Sequence, residues 1–336
     1  MSTLTTLYEQ SKQYDEHKTD QLEYIQAMKF TPGGIALPDS LMNSAVQYSM
    51  TDWALEQACT KMGDPPAPYA KRCPDWLRAD NLEHWRKQQP EDKKWFIRSY
   101  KDDCRAVLSN DYTPLSTTDL LKWTIDYAGD QETYRAYLTP DTFHAKIIML
   151  NPNPGNGEPY GFGGYLGNGE IGNRYVRVLP MIQLHSCTNS IIIKDVDYEQ
   201  AEGCVIMHRF KSTKSVELRV KEALGNVFRV AYEKLEEIAQ AAIDELPNFN
   251  DLVEQYAKRK NLSQEVTRNV FVGCQGQKTR MGIVNGLSYA AHQQTDPDLM
   301  VDLETWAGSV LVDRDSLFGR AQQAIVRQED LVEVEV

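Results

Sequence analysis

The spacing of apolar positions changes along the chain and separates a β-rich middle part from a helical later part. Short apolar runs separated by turns predict strands at Tyr134–Leu138, Thr142–Leu150, Tyr160–Leu166, Asn173–Leu184, Ser190–Lys194 and Cys204–Phe210. From about Thr213 to Leu246, apolar residues recur every three or four positions, which predicts one long amphipathic helix. Pro247 ends this helix, because proline cannot continue a helix.

Shorter helical patterns follow at residues 252–259, 264–271, 283–292 and 299–311, and another lies near Arg320. We therefore expect an α+β fold, in which an antiparallel β meander is followed by a long amphipathic helix and a helical C-terminal part. The expected regions are an irregular and helical N-terminal region (1–97), an α+β core (98–250), a helical region (251–328) and an acidic tail (329–336). Within the first region, the spacing predicts a helix over Met42–Met62.

Composition and charge narrow the class of protein. The 336 residues are 41% apolar and 25% charged, as in an ordinary globular protein. A net charge of −12 excludes a wholly basic protein that coats nucleic acid but is compatible with a local basic face. No apolar run approaches the roughly 20 residues of a membrane span, and no secretory leader is evident. Six scattered cysteines without a CxxC pair are expected to be reduced, so we expect a cytoplasmic protein.

A local basic segment stands out against this acidity. The segment from Cys204 to Lys234 contains seven basic and three acidic residues, which gives it a net charge of +4. Cations and aromatic rings are what a groove for single-stranded nucleic acid requires. The candidate phosphate-binding cations are Arg174, Arg177, Lys194, Arg209, Lys211, Lys214 and Lys221, and the candidate stacking rings are Tyr160, Tyr165 and Tyr175. The other interpretation is a solvated helix face with pairs such as Glu217–Lys221.

A second basic cluster spans Lys71–Lys101, where nine basic and five acidic residues are interleaved with Trp76, Trp85 and Trp95. This mixture is compatible with nucleic-acid binding. More often, such tryptophans pack a segment onto its own domain while lysine and arginine stems cover apolar surface.

Metal and catalytic signatures are weak. His185 and Cys187 share one strand face, and Cys204 and His208 share another, so these four residues are a candidate tetrahedral zinc set. Their spacing matches no established zinc pattern, and the alternative is buried cysteines and hydrogen-bonded histidines. The residues Gly273–Thr279 depart from a phosphate-binding loop, and neither GxSxG nor HExxH occurs. We therefore expect no catalytic residues, metal or cofactor.

The glycine-rich turn Gly167–Gly172 is unusual because it encloses a carboxylate. Its glycines permit positive φ or close approach of the backbone. We expect Asn168, Glu170 and Gly172 to form a structural turn in which Glu170 caps backbone N–H groups. The alternative is a plain hairpin turn.

Four segments together resemble a phage- and plasmid-borne family, domain of unknown function 932. Arg105–Leu115 is similar to its RAxLSDxYxPLDN opening. Gly167–Gly172 is similar to its xxNSExG turn, with Gly169 where the family has serine. Cys187–Ser190 is similar to its CTNG motif, with Ser190 in place of glycine, and this motif adds Asn189 to the structural turn residues. Leu303–Gly308 is similar to its LExxAG motif.

This resemblance implies mobile-element biology, and therefore the cytoplasm of a host cell. A β meander followed by a long helix also resembles the core of the RecT, Redβ and Erf single-strand annealing proteins. Our first hypothesis is an oligomeric, non-catalytic protein that binds and anneals single-stranded DNA in recombination or replication. The alternatives are a phage accessory protein that binds a host protein, and a metal-dependent enzyme built on the four Cys and His residues.

Overall fold

The computed structural model describes residues 2–39, 44–150, 160–184, 189–193, 205–210 and 212–318. Within these residues the chain forms two six-stranded sheets and a set of helices. The α+β fold class predicted from the sequence, with its antiparallel meander and helical C-terminal part, is confirmed.

The helices of the described residues are α1 (Leu4–Asp15), α2 (Asp52–Met62), α3 (Ala67–Arg72), α4 (Asp75–Lys87), α5 (Thr117–Ala128), α6 (Thr213–Glu233), α7 (Leu235–Ile243), α8 (Phe249–Arg259), α9 (Gln264–Cys274), α10 (Arg280–His292) and α11 (Pro297–Val312). The strands are β1 (Lys18–Tyr24), β2 (Lys29–Thr31), β3 (Gly34–Asp39), β4 (Ser44–Met50), β5 (Lys94–Tyr100), β6 (Asp103–Ser109), β7 (Thr133–Leu138), β8 (Thr142–Leu150), β9 (Tyr160–Gly169), β10 (Val176–Leu184), β11 (Asn189–Ile192) and β12 (Val205–Ile206).

The first sheet has the strand order β1-β5-β6-β4-β3-β2, with β4 and β6 parallel and the other pairs antiparallel. Helices α2 and α4 pack against it over a core that includes Trp95, Ile97 and Leu55. The described residues among 1–97 are therefore mostly strands and helices, where an irregular and helical region was predicted. A boundary at residue 97 falls within β5, whose partner strands β1 and β6 lie on either side of it in sequence.

The helix predicted over Met42–Met62 is wrong in its first half. Ser44–Met50 is the strand β4, because β3 and β6 supply its backbone partners. The helix begins only after Thr51, whose hydroxyl accepts the N–H of Ala54 at 3.2 Å. A hydroxyl at this position satisfies a donor that the first turn leaves free, so local chemistry fixes where α2 begins.

The second sheet is the predicted meander. Its strands follow the order β11-β10-β9-β8-β7, all antiparallel, and β12 also pairs with β10. Helix α6 packs on one face, where Val227 approaches Gly164, and α5 packs on α6. Helix α11 packs on the other face through His144–Asp298 and Lys146–Glu304 contacts. The sheet thus lies between two helical layers.

The helical part differs from prediction at one point. The four shorter helices are confirmed as α8 to α11, but the long helix is not continuous to Leu246. It ends at Glu233, and after Lys234 a separate helix, α7, packs against α10 and α11. Tertiary packing therefore decides this break, since the apolar period itself continues through it. The helix predicted near Arg320 and the acidic tail lie outside the described residues.

The turn that follows β9 joins the two sheets through a buried carboxylate. Glu170 is only 4% exposed. Its Oε1 accepts the backbone N–H of Thr117 at 2.7 Å, at the start of α5. Its Oε2 accepts from Arg98 Nη1 at 3.2 Å and from Lys18 Nζ. Lys18 and Arg98 belong to β1 and β5 of the first sheet, so one side chain connects both sheets and α5.

Arg98 is held on its other side as well. Its Nε and Nη2 each donate to Asp20 at 2.7 Å, and Nη1 donates to the backbone oxygen of Glu170 at 2.7 Å. Burial alone lowers the pKa of Arg98, but the hydrogen bonds to Asp20 and the charges of Glu170 and Asp20 raise it above its usual value. The guanidinium therefore remains charged inside the joint, as a buried charge does only when it is paired.

The remaining turn residues complete this joint. The backbone oxygen of Ile171 accepts from Trp53 Nε1 at 3.0 Å and from Gln57 Nε2 at 2.9 Å. Asn168 Nδ2 donates to the backbone oxygen of Leu115 at 3.0 Å. Gly172 has a φ of +73°, and a Cβ there would lie 2.5 Å from a methyl carbon of Leu108. The turn is thus a docking element. Asn189 lies elsewhere, paired through its backbone with Leu184 in β10.

We expect Glu170→Gln to lower the free energy of unfolding by about 1.5–3 kcal/mol, because a neutral amide removes one counter-charge from two buried cations. Lys18 and Arg98 then keep only Asp15 and Asp20 as carboxylate partners among the described residues. Urea denaturation followed by circular dichroism measures this change. The matched control is Glu254→Gln on α8, an exposed position where the change should stay within about 0.5 kcal/mol. Equal changes in the two variants would show that the joint does not depend on the Glu170 charge.

Candidate functional site

A cleft of about 490 Å³ opens where the two sheets meet, and we call it the junction cleft. Of the segments that line it, three are far apart in sequence and carry its cations. Helix α2 supplies Trp53 and Lys61, the residues before β10 supply Arg174 and Tyr175, and the residues after β12 supply Arg209. The Glu170 joint positions all three, because it fixes the second sheet against α2 and the first sheet.

Two cations of the junction cleft have no carboxylate partner among the described residues. These are Lys61 and Arg209. Burial lowers the pKa of Lys61, and the positive charges of Arg209 and Lys93 lower it further. The carboxylate in the lining, Glu56, is already bound to Lys71 at 2.6 Å. The cleft therefore carries positive charge that no neighbouring acid of the described chain neutralises.

A shallower groove of about 400 Å³ continues from the cleft and shares Lys61 and Ser109 with it. It adds Lys93, whose Nζ donates to the backbone oxygen of Lys61 at 3.0 Å and to Gln89 Oε1 at 2.7 Å. Both acceptors are neutral, so the ammonium keeps its net charge. The charges of Arg209 and Lys93 both act on Lys61, and we call these three cations the basic track. The lining of the groove also includes one carboxylate, Asp92.

Aromatic and sulfur-containing side chains are exposed beside the basic track. Trp53 is 37% exposed, Tyr175 is 47% exposed and Met207 is 58% exposed. The bond from Trp53 Nε1 to Ile171 fixes the indole ring in place. Exposed rings next to cations are the arrangement on which unpaired bases stack while phosphates are held.

His208 forms part of the cleft wall in an unusual state. It is 5% exposed, and its ring stacks on Tyr112 with centroids 5.0 Å apart. Its Nδ1 donates to the backbone oxygen of Thr113 at 3.3 Å, which makes Nε2 the acceptor of a neutral ring. Nε2 has no hydrogen-bond partner in the described part of the chain. Burial lowers the pKa of His208 to about 4, so the ring is neutral at pH 7.

The structure brings together only part of the predicted nucleic-acid-binding set. Arg174, Tyr175 and Arg209 line the junction cleft. The guanidinium of Arg174, however, is bound to Asp298 at 2.6 Å, so its charge is neutralised. Lys221 forms an ion pair with Glu217 at 2.6 Å on α6. This is the pair expected for a solvated helix face, the alternative to a phosphate-binding role. Lys214 is exposed on α6 and is not part of the cleft lining.

The prediction that Tyr165 is a stacking platform is wrong. Its side chain is 1% exposed, and its hydroxyl lies 2.5 Å from His144 Nδ1. Arg177 shares this sheet face, because it lies two residues from Leu179, the partner of Tyr165 in β9. Helix α6 covers the opposite face. A single groove built from α6 and these strands is therefore not formed, since the sheet itself separates its two halves.

Tyr160 is half-buried at the start of β9, where it pairs with Leu184. Lys194 and Lys211 lie outside the described residues. Sequence reasoning missed Trp53 and Lys61 as site residues. Lys93 belongs to the second basic cluster, whose composition indicated possible nucleic-acid binding. Lys61 is a single lysine on α2, and nothing in the sequence around it indicates a binding site.

Three residues of the candidate zinc set, His185, Cys187 and Cys204, lie outside the described residues. Only His208 has a described position. Among the residues that the structure describes, no three His, Cys, Asp or Glu side chains are grouped to hold a metal ion. The described cysteines Cys59, Cys73, Cys104 and Cys274 are free and buried. No helix in the described ranges is long and apolar enough to cross a bilayer.

The depressed pKa of His208 predicts a specific loss of stability in acid. The unfolded chain binds the proton with a pKa near 6.5, and the folded chain binds it only near 4. Below pH 6.5 protonation therefore favours the unfolded state, and the loss grows to about 3 kcal/mol near pH 4. In urea denaturation, His208→Asn should remove this part of the slope while keeping a donor to Thr113. His17→Asn, at an exposed position, should leave the slope unchanged. Parallel slopes for His208→Asn and the unaltered protein would contradict the prediction.

Comparisons with protein-family models, with curated proteins and with solved structures give no match to this chain. The resemblance to domain of unknown function 932 and the likeness to single-strand annealing proteins therefore remain predictions from the sequence. The geometry of the junction cleft is the basis on which a function can be argued.

Proposed function

We propose that the protein binds single-stranded DNA, without catalysis, along the junction cleft and the basic track. One observation carries the proposal. Lys61, Arg209 and Lys93 converge beside the exposed rings of Trp53 and Tyr175, and none of the three cations has a carboxylate partner in the described ranges. Like charges repel, so their convergence costs stability unless an anion binds there.

The chemistry of the basic track favours a polyanion with unpaired bases. Phosphates spaced along a strand match successive cations, and the rings of Trp53 and Tyr175 offer π-faces to bases. Paired bases in a duplex cannot use such rings, since they stack on one another. The net charge of −12 opposes nucleic-acid binding elsewhere on the surface and favours binding confined to the cleft.

Annealing in recombination or replication of a mobile element is the use that the sequence resemblance implies. A groove that holds phosphates while leaving bases accessible is sufficient for annealing, and neither a nucleophile nor a metal is needed. One cleft of this size contacts few nucleotides. Assembly into a homo-oligomer is therefore part of the proposal, since it places several such clefts along one strand.

The test is fluorescence anisotropy with a labelled poly-dT oligonucleotide across a salt series. We expect binding that weakens with salt, with a slope of about 0.7 per phosphate contact. Lys61→Glu/Arg209→Glu should reduce that slope by about 1.4, because two contacts are lost. Tyr175→Ala should weaken binding by about 1–3 kcal/mol at fixed salt, through loss of stacking.

Lys258→Glu is the matched control, because Lys258 is exposed on α8 and outside the cleft lining. Combined with Arg268→Glu at an exposed position on α9, it makes the same change of charge as the cleft variant, and this double control should leave the slope unchanged. No binding at low salt would overturn the proposal and would direct attention to a host protein as the partner. Equal losses in Lys258→Glu/Arg268→Glu and the cleft variant would show that net charge, and not the cleft, governs binding.

A further inference from the structure

A second, smaller cavity lies on the face of the second sheet that α11 covers, away from the junction cleft. Its volume is about 220 Å³, and we call it the Arg135 pocket. Strands β7 and β8 supply Arg135, His144 and Lys146, and the start of α11 supplies Met300 and Val301. No aspartate or glutamate is among its lining residues.

Two cations meet in this pocket at neighbouring positions. Arg135 and Lys146 are direct partners in the β7–β8 pairing, so their side chains lie on the same face. Like charges directly opposite each other in a sheet are destabilising. Burial lowers the pKa of Lys146, and the charge of Arg135 lowers it as well, while Glu304 raises it. The two side chains are therefore close enough for each charge to act on the other.

The two cations differ in how they are neutralised. Lys146 Nζ donates to Glu304 Oε1 at 2.5 Å and to Ser190 Oγ at 3.0 Å, so its charge is paired. Arg135 donates through Nη2 to the backbone oxygen of Gln294 at 3.4 Å and has no carboxylate partner among the described residues. The pocket is left with the positive charge of Arg135.

The wall beside these cations is fixed by hydrogen bonds. His144 Nε2 lies 2.9 Å from Asp298, and His144 Nδ1 lies 2.5 Å from the Tyr165 hydroxyl. The bonds from His144 and Arg174 lower the pKa of Asp298 to about 2, so this carboxylate is ionised. Burial raises the pKa of Tyr165, so its hydroxyl stays protonated. These two acids, Asp298 and Glu304, are thus outside the pocket lining and already have partners.

We propose that the Arg135 pocket binds a small carboxylic acid with a short carbon chain. The carboxylate would pair with Arg135, whose planar fork matches two carboxylate oxygens. The carbon chain would lie against Met300 and Val301. At roughly 30 Å³ for each water-sized group, the volume of about 220 Å³ holds about seven non-hydrogen atoms. This inference is independent of nucleic-acid binding, because it depends on other residues.

The test is isothermal titration calorimetry of the full chain with butyrate, succinate and inorganic phosphate as probes. We expect saturable binding of a carboxylate probe, and Arg135→Gln should weaken it about tenfold or more. Arg268→Gln, at an exposed position on α9, is the matched control and should bind as the unaltered protein does. Binding of poly-dT should be the same in Arg135→Gln and the unaltered protein, which separates the two proposals.

A second measurement needs no variant. An arginine-selective dicarbonyl reagent, followed by peptide mass spectrometry, should modify Arg135 in the free protein, and the bound carboxylate should protect it. Saturable heat for phosphate alone would overturn the assignment to a carboxylic acid. Absence of saturable heat with every probe, or binding that Arg135→Gln leaves intact, would overturn the pocket as a binding site.

Discussion

The buried carboxylate of Glu170 is the interaction on which the arrangement of this molecule depends. It belongs to a turn of the second sheet, but its partners are two cations of the first sheet and the first turn of α5. A charge in that position is tolerated only with its partners in place, because desolvation of an unpaired carboxylate is costly. The relative position of the two sheets is thus specified by direction-dependent bonds and not by apolar packing alone.

The junction cleft is a consequence of this joint. The turn that carries Glu170 also accepts hydrogen bonds from Trp53 and Gln57 of α2, and it is followed directly by Arg174 and Tyr175. The cleft residues, which come from different segments, are therefore held by the same contacts that hold the sheets together. A ligand in the cleft would touch both sheets, so binding and the stability of the joint are coupled.

The two faces of the second sheet differ in polarity. Helix α6 covers one face with apolar contacts such as Val227 on Gly164. The other face is unusually polar for an interior, because His144, Lys146 and Tyr165 are buried under α11. His144 and Lys146 have partners on that helix, and Tyr165 bonds to His144. An unpaired buried polar group is costly, so the bonds from His144 and Lys146 fix the position of α11. Arg135, at the edge of this network, is the member that lacks a carboxylate partner among the described residues.

The sequence by itself determined the fold class, the meander and the helices α8 to α11, because periods of two and of about 3.6 residues are local properties of consecutive side chains. It also pointed to the Glu170 turn through its composition. The break at Lys234, the strand β4 and the burial of Tyr165 depended on partners distant in sequence. The same holds for the cleft, where Lys61, Tyr175 and Arg209 meet only after the sheets have docked. No local sequence pattern predicts that these residues come together, because their proximity depends on long-range pairing of buried charges and backbone groups.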